Sequence, residues 1–196
     1  MIDTILLNVT KMLTERKFLD EKNLEKNYKY LLNQKNDERI FKIKSDFSDK
    51  YFYILHLIPK ITTIKKIQGL DAFLLVSKNQ NRMFIAKNVT KKAYKQFMEL
   101  NNSEVFFEYE LLINLIDHEL QPVFQVLNEE NKKKYYESYD TKNSQMSNIL
   151  TTDVISRYYN VKPGDIFRII RPSNTSGMSF HYRLVVESSI NTLFDK

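Results

Sequence analysis

Residues 51–58 read Tyr-Phe-Tyr-Ile-Leu-His-Leu-Ile and stop at Pro59, so His56 alone breaks a run of apolar and aromatic side chains. A strand with one wet face alternates apolar with polar, whereas a run without alternation fits a strand covered on both faces. Its neighbours in the sequence supply covering layers. Ile2, Ile5, Leu6, Val9, Met12 and Leu13 recur at helical spacing over 3–16, behind Asp3 as the expected cap. A second helix is expected over 21–33 with Asp20 as its cap and Leu24, Tyr28, Leu31 and Leu32 facing inward; 33–38 is a polar break. Short strands are expected at 39–44, 71–76 and 104–109, the second of them central. Residues 62–68 suggest one or two helical turns stopped by Gly69, and 90–100 forms an amphipathic helix burying Ala93, Tyr94, Phe97 and Leu100. This alternation argues for a mixed α/β layer structure.

Beyond residue 115 the character changes. Gln121-Pro122 interrupts the chain, and 129–139 reads as a helix capped by Asn128. Residues 140–148 look like a polar loop. A short helix is expected over 153–159, ended by Asn160 in the left-handed conformation that Asn tolerates. Lys162-Pro163-Gly164-Asp165 reads as a tight turn between that helix and two strands, 165–171 and 180–187, joined by a turn-rich connection from Pro172 to Gly177. The reading is two domains, 1–117 and 118–196, with no internal repeats.

Composition excludes several classes. The 196 residues include no cysteine, so disulfides and Cys-ligated zinc are out. No window approaches the roughly 18 uninterrupted apolar residues of a membrane span. The first ten residues carry Asp3 and no basic run, and do not read as a signal peptide. Three glycines cannot build a Walker loop or a dinucleotide fingerprint. A net charge of +6, with both signs mixed along the chain, gives only weak support for nucleic-acid contact.

Catalytic patterns fail one by one. His118-Glu119 opens like a zinc-binding HExxH, but Pro122 stands where the second histidine is required, so a structural or partner-facing His118 is the better reading. There is no Gly-x-Ser-x-Gly elbow. Two-metal phosphodiester cleavage needs converging carboxylates, for which only Asp46, Asp49 and Asp71 offer themselves. Lys65-Lys66, Lys91-Lys92 and Lys132–Lys134 read as solvated helix faces. Tyr135, Tyr136, Tyr158 and Tyr159 could stack on bases, but core or interface packing is preferred. Arg168 and Arg183 share a face of the terminal hairpin in one of its two registers.

The C-terminal third is more specific. Glu110-Leu111-Leu112-Ile113-Asn114 precedes His118-Glu119-Leu120-Gln121-Pro122; Asp153-Val154-Ile155-Ser156-Arg157-Tyr158-Tyr159-Asn160-Val161-Lys162-Pro163-Gly164-Asp165 follows, then Arg168-Ile169-Ile170-Arg171-Pro172-Ser173-Asn174-Thr175-Ser176-Gly177 and His181-Tyr182-Arg183-Leu184-Val185. In order and spacing these blocks resemble the fifth subunit shared by the eukaryotic nuclear RNA polymerases, whose C-terminal part corresponds to a small subunit of the archaeal RNA polymerase. Departures are confined to details: Val154 replaces a proline, Asn160 a glycine, Pro163 a basic residue and Ser147 a proline. The N-terminal 115 residues resemble the family's jaw domain in element order rather than in letters.

The resemblance implies a restriction-endonuclease-like jaw without its active site and a small α+β assembly domain ending in a β-hairpin. It implies a non-catalytic polymerase subunit with no cofactor and no metal. The C-terminal domain would dock on the largest subunit through residues such as His118, Glu119, Leu120, Pro122, Arg157, Tyr158, Arg168, Arg171, Pro172 and Arg183. The jaw would lie near downstream duplex DNA, touching it weakly or indirectly through backbone phosphates. No membrane partner and no homo-oligomer is expected. Lys, Asn and Ile bias suggests an AT-rich genome, viral or cellular. The location is then virion and host cytoplasm, or nucleus. The rival readings are a divergent magnesium-dependent nuclease and a free-standing DNA-binding adaptor.

Overall fold

The two-sided run becomes strand β2 (Tyr51–Leu57), with Phe52 through Leu57 all buried. The structure is a computed structural model that describes residues 2–34, 39–114, 116–140, 143–173 and 175–194. The chain divides into two compact units, Met1–Asn114 and Leu115–Lys196.

In the first unit the sheet order is β1-β2-β3-β4, with β1 (Ile40–Lys44) antiparallel to β2, and β3 (Asn81–Ala86) and β4 (Ser103–Phe107) parallel. One face meets helices α1 (Ile2–Glu15), α2 (Leu24–Asn33) and α5 (Glu108–Leu112): Phe18 sits edge-on to Phe52, and Asn8 donates to the Leu111 carbonyl at 2.8 Å. The other face meets α3 (Leu70–Val76) and α4 (Lys91–Met98), whose Phe73 and Phe97 flank Phe84 of β3. Asp20 and Thr90 accept backbone N–H groups at helix starts, closing donors that would otherwise be orphaned. Helix α1 begins at Ile2, so Asp3 lies in its first turn rather than at the cap, where its charge suits the positive end of the helix.

Four expectations are corrected here. Residues 71–76 form helix α3, not a strand. A short apolar run carries no period of its own; Leu70 and Phe73 go inward at helical spacing, while Leu75 and Val76 are 75% and 68% exposed. Gly69, at φ 76°, opens this helix instead of ending the previous one, and 62–68 contains only the short 3-10 turn Ile64–Lys66. The inner strands are β2 and β3, and at β3 no strand was expected. The 104–109 strand stops at Phe107, whose N–H donates to the Glu110 side chain at 3.0 Å as α5 begins. The expected break at 33–38 falls largely on residues outside those described.

In the second unit the sheet order is β5-β7-β8-β6. Strands β7 (Ile166–Ser173) and β8 (Gly177–Val186) form the long antiparallel hairpin. Strand β5 (Val123–Val126) pairs antiparallel with β7, and β6 (Ser147–Leu150) parallel with β8. Helix α6 (Glu129–Tyr139) covers one face around Met146, Ile166 and Leu184; α7 (Val154–Tyr158) covers the other around Ile149, Ile155, Phe167, Ile169 and Val185. Asn128 and Asp153 cap these helices, and Asn160 takes φ 50°. Gly164 turns at φ 93°, where a β-carbon would be strained. The polar loop ends sooner than expected, because Ser147–Leu150 joins the sheet as an edge strand. The hairpin is not the last element, since helix α8 (Asn191–Phe194) follows it.

Candidate partner-docking surface

Pairing register decides which arginines share a face. Arg168 stands opposite Tyr182, and Phe167 opposite Arg183. Side chains alternate along strands, so Arg168 and Arg183 lie on opposite faces, which rejects the shared-face register. Arg171 pairs with Ser179 and therefore shares its face with His181 and Arg183, all three exposed. That face continues inward to the Phe167–Ile169 core under α7.

The hairpin outruns its neighbours. Pairing with β5 stops at Ile170, and pairing with β6 begins at Arg183, so residues 171–173 and 177–179 stand as a two-stranded arm. Val123 pairs with Ile170, which sets the exposed turn at His118, Glu119 and Leu120, with half-buried Pro122, at the same end of the sheet as Arg171 and Pro172. Leu120 is 86% exposed. The turn is internally tied: Gln121 N–H donates to the His118 carbonyl at 2.9 Å, and Leu120 N–H to His118 Nδ1 at 3.2 Å. Six of the ten expected contact residues thus meet at one end of one sheet. Arg157 lies on α7, where its Nε donates to the Thr152 carbonyl at 3.3 Å. Tyr158 is buried, its ring 5.3 Å from that of Tyr159, so it packs beneath the surface and offers a partner little area. Arg168 lies on the α6 face, its guanidinium 4.3 Å from the centre of the Phe180 ring.

The lysine run on α6 is not simply solvated. Lys132 reaches Glu129 at 2.7 Å and Asp165 at 2.8 Å, pinning the helix to the 162–165 turn, and Lys134 reaches Glu130 at 2.6 Å. Burial opposes the Lys132 charge, but the two carboxylates outweigh it and hold its pKa above the ordinary value.

The acidic residues that a nuclease would need do not converge. Asp46 accepts from Asp20 N–H at 2.7 Å, and Asp49 pairs with Lys44 at 2.8 Å, both before β2 begins. Asp71 is in the first turn of α3, beyond the other end of β2. Among the described residues no group of three His, Asp or Glu side chains is placed to hold a metal ion.

The first unit does hold a buried titratable pair. His56 Nε2 lies 3.9 Å from Glu108 Oε1, too far for a hydrogen bond, and neither ring nitrogen has a hydrogen-bond partner. Burial lowers the His56 pKa; Glu108 pulls it up and Arg39 pushes it down. The unfolded state therefore binds the proton more readily. The stabilisation from neutral His56 is complete above the ordinary histidine pKa of about 6.5 and is lost as pH falls below it towards the folded value. Urea midpoints at pH 7.5 and 5.5 should fall more for the natural chain than for His56→Gln; equal falls would remove His56 as the cause.

Residues 113–185 match the family described as RNA polymerase Rpb5, C-terminal domain. A mimivirus protein named DNA-directed RNA polymerase subunit 5 is 31% identical over 190 residues, covering 94% of this chain and 92% of that protein. The chain belongs to the RNA polymerase subunit 5 family. Family likeness also reaches cellular proteins. A Dictyostelium discoideum protein named DNA-directed RNA polymerases I, II, and III subunit rpabc1 is 33% identical over 73% of this chain and 75% of its own length. Its Caenorhabditis elegans counterpart is 41% identical, but over only 83 residues. The family match itself falls within the second unit but for its first two residues.

Proposed function

We propose that this chain, a polymerase subunit by family, is built into its enzyme through the C-terminal unit, which docks on the largest subunit. The carrying observation is coincidence: the family match at 113–185 falls on the same compact unit whose hairpin presents Arg171, His181 and Arg183 on one exposed face, with Arg171 at the sheet end that also holds the 118–122 turn. Arginine on a rigid strand loses little freedom on pairing and is enriched at binding hot spots. We assign 1–117 as the jaw domain, with a restriction-endonuclease-like fold and no active site, and 118–196 as the assembly domain. The jaw would lie beside downstream duplex DNA, making at most weak, salt-sensitive phosphate contacts. Nucleotide addition belongs to the large subunits. A viral chain would act in virion and host cytoplasm, a cellular one in the nucleus.

Arg171→Glu and Arg183→Glu test this. Each should reduce recovery of the tagged chain with the large polymerase subunits by about tenfold or more, because reversal places like charges at the contact. The melting curve of the isolated chain should not move, both side chains being exposed. Normal recovery of both variants would sink the assignment of this face.

A further inference from the structure

We infer that the pocket between α6 and the hairpin is a receptor for an acidic side chain carried by a protein partner. This rests on the reading of the C-terminal unit as a docking module and names the chemistry of one contact. The pocket, of about 220 Å³, is lined by Tyr135, Tyr139, Tyr182, Leu127, Lys134 and Arg168 among others. Ligand sites for whole small molecules run to about 300–1,000 Å³, so this space suits one side chain better than a nucleotide.

Charge selects the occupant. Lys134 is already neutralised by Glu130 at 2.6 Å. Arg168 has no carboxylate partner among the described residues, and its buried Nε has no hydrogen-bond partner. A buried N–H without an acceptor is costly, and a carboxylate entering the pocket would relieve that cost through paired N–H···O bonds from Nε and its neighbouring nitrogen. The group is held ready. Its sheet neighbours are Gln125 and Tyr182, and Phe180 stacks against it at 4.3 Å. Tyr135 and Tyr139 ring centres lie 4.4 and 5.7 Å from that of Tyr182, giving stiff walls with two rotatable angles each.

The rim describes what flanks the acid. Ile170 pairs with Val123 on one side and Phe180 on the other, and Pro172 pairs with Met178, all on the Arg168 face. Val123, Met178 and Phe180 are 57%, 60% and 48% exposed. A segment with Asp or Glu beside bulky apolar residues would cover both the charge and this apolar strip.

The test uses the full chain in its polymerase. Tyr139→p-benzoylphenylalanine, irradiated in the assembled complex, should crosslink to one protein segment that contains Asp or Glu. Arg168→Met should weaken retention on the immobilised large subunits by about tenfold or more, and Arg168→Lys by less. Circular dichroism of each variant checks folding, and the crosslink, made with Arg168 intact, decides the matter should Arg168→Met misfold. A crosslink to nucleic acid, a crosslinked segment without an acid, or a well-folded Arg168→Met that is retained normally overturns the inference. Failure of the docking reading looks different: the unaltered chain itself would not be retained.

Discussion

Phe84→Ala should cost the N-terminal unit about 3–5 kcal/mol, the largest single effect expected in this chain. Phe84 is fully buried on β3, the strand between β2 and β4. Phe97 of α4 lies 4.5 Å from its ring centre, and Phe73 of α3 lies 5.8 Å away. Truncation removes the ring against which both covering helices rest, and β3 is paired on both sides, so the backbone cannot close the void cheaply. Domains of this size are stable by about 5–15 kcal/mol, so the loss is a large share of the whole. Urea unfolding followed by circular dichroism reads it. Leu75→Ala, on the solvent side of α3 and 75% exposed, is the control and should change stability by less than about 0.5 kcal/mol. Similar losses for both variants would mean that α3 and α4 do not lean on Phe84.

The same strand shows where sequence reading succeeds and where it stops. Tyr51–Leu57 was readable because every residue but His56 agrees with a two-sided strand. Asn81–Ala86 was not, since Asn81 and Arg82 lead into it like the end of a loop; its inner place comes from pairing with β2 and β4, which no local pattern encodes. Residues 71–76 had the composition of a strand and the structure of a helix, because burial of Leu70 and Phe73 is settled by the aromatic floor they meet. In the second unit the family blocks cover the hairpin, yet Val123–Val126 and Ser147–Leu150 carry no strand signal of their own; both are four-residue edges whose pairing is set by the hairpin. Register was the deciding unknown at the site. One residue of slip separates a shared Arg168–Arg183 face from the opposed faces observed, and the letters alone do not fix it. Likewise the preference for packing at Tyr135 names no partner, and only the fold brings Tyr135 and Tyr139 over Tyr182.

Glu104→Gln should destabilise the N-terminal unit by about 3 kcal/mol. Arg16, just past the end of α1, meets Glu104 on β4 through a two-pronged pair, Nη1 to Oε1 at 2.9 Å and Nη2 to Oε2 at 2.7 Å. The side chains are only 8% and 19% exposed, so the pair works away from bulk water, and losing one charge leaves the other without its two-pronged counter-ion. The contact joins positions 88 residues apart and fixes the end of α1 against an edge strand of the sheet. A charge placed inward on an edge strand also discourages pairing with a second sheet. Two roles can be separated by a double-mutant cycle with Arg16→Met and Glu104→Leu. Should the double variant recover most of the loss, the pair serves orientation, since an apolar contact of similar size holds the elements as firmly. Should it remain as unstable as Glu104→Gln, the fork itself stabilises the fold. A coupling below about 0.5 kcal/mol would mean that the two charges behave as a solvated surface pair, against the burial observed.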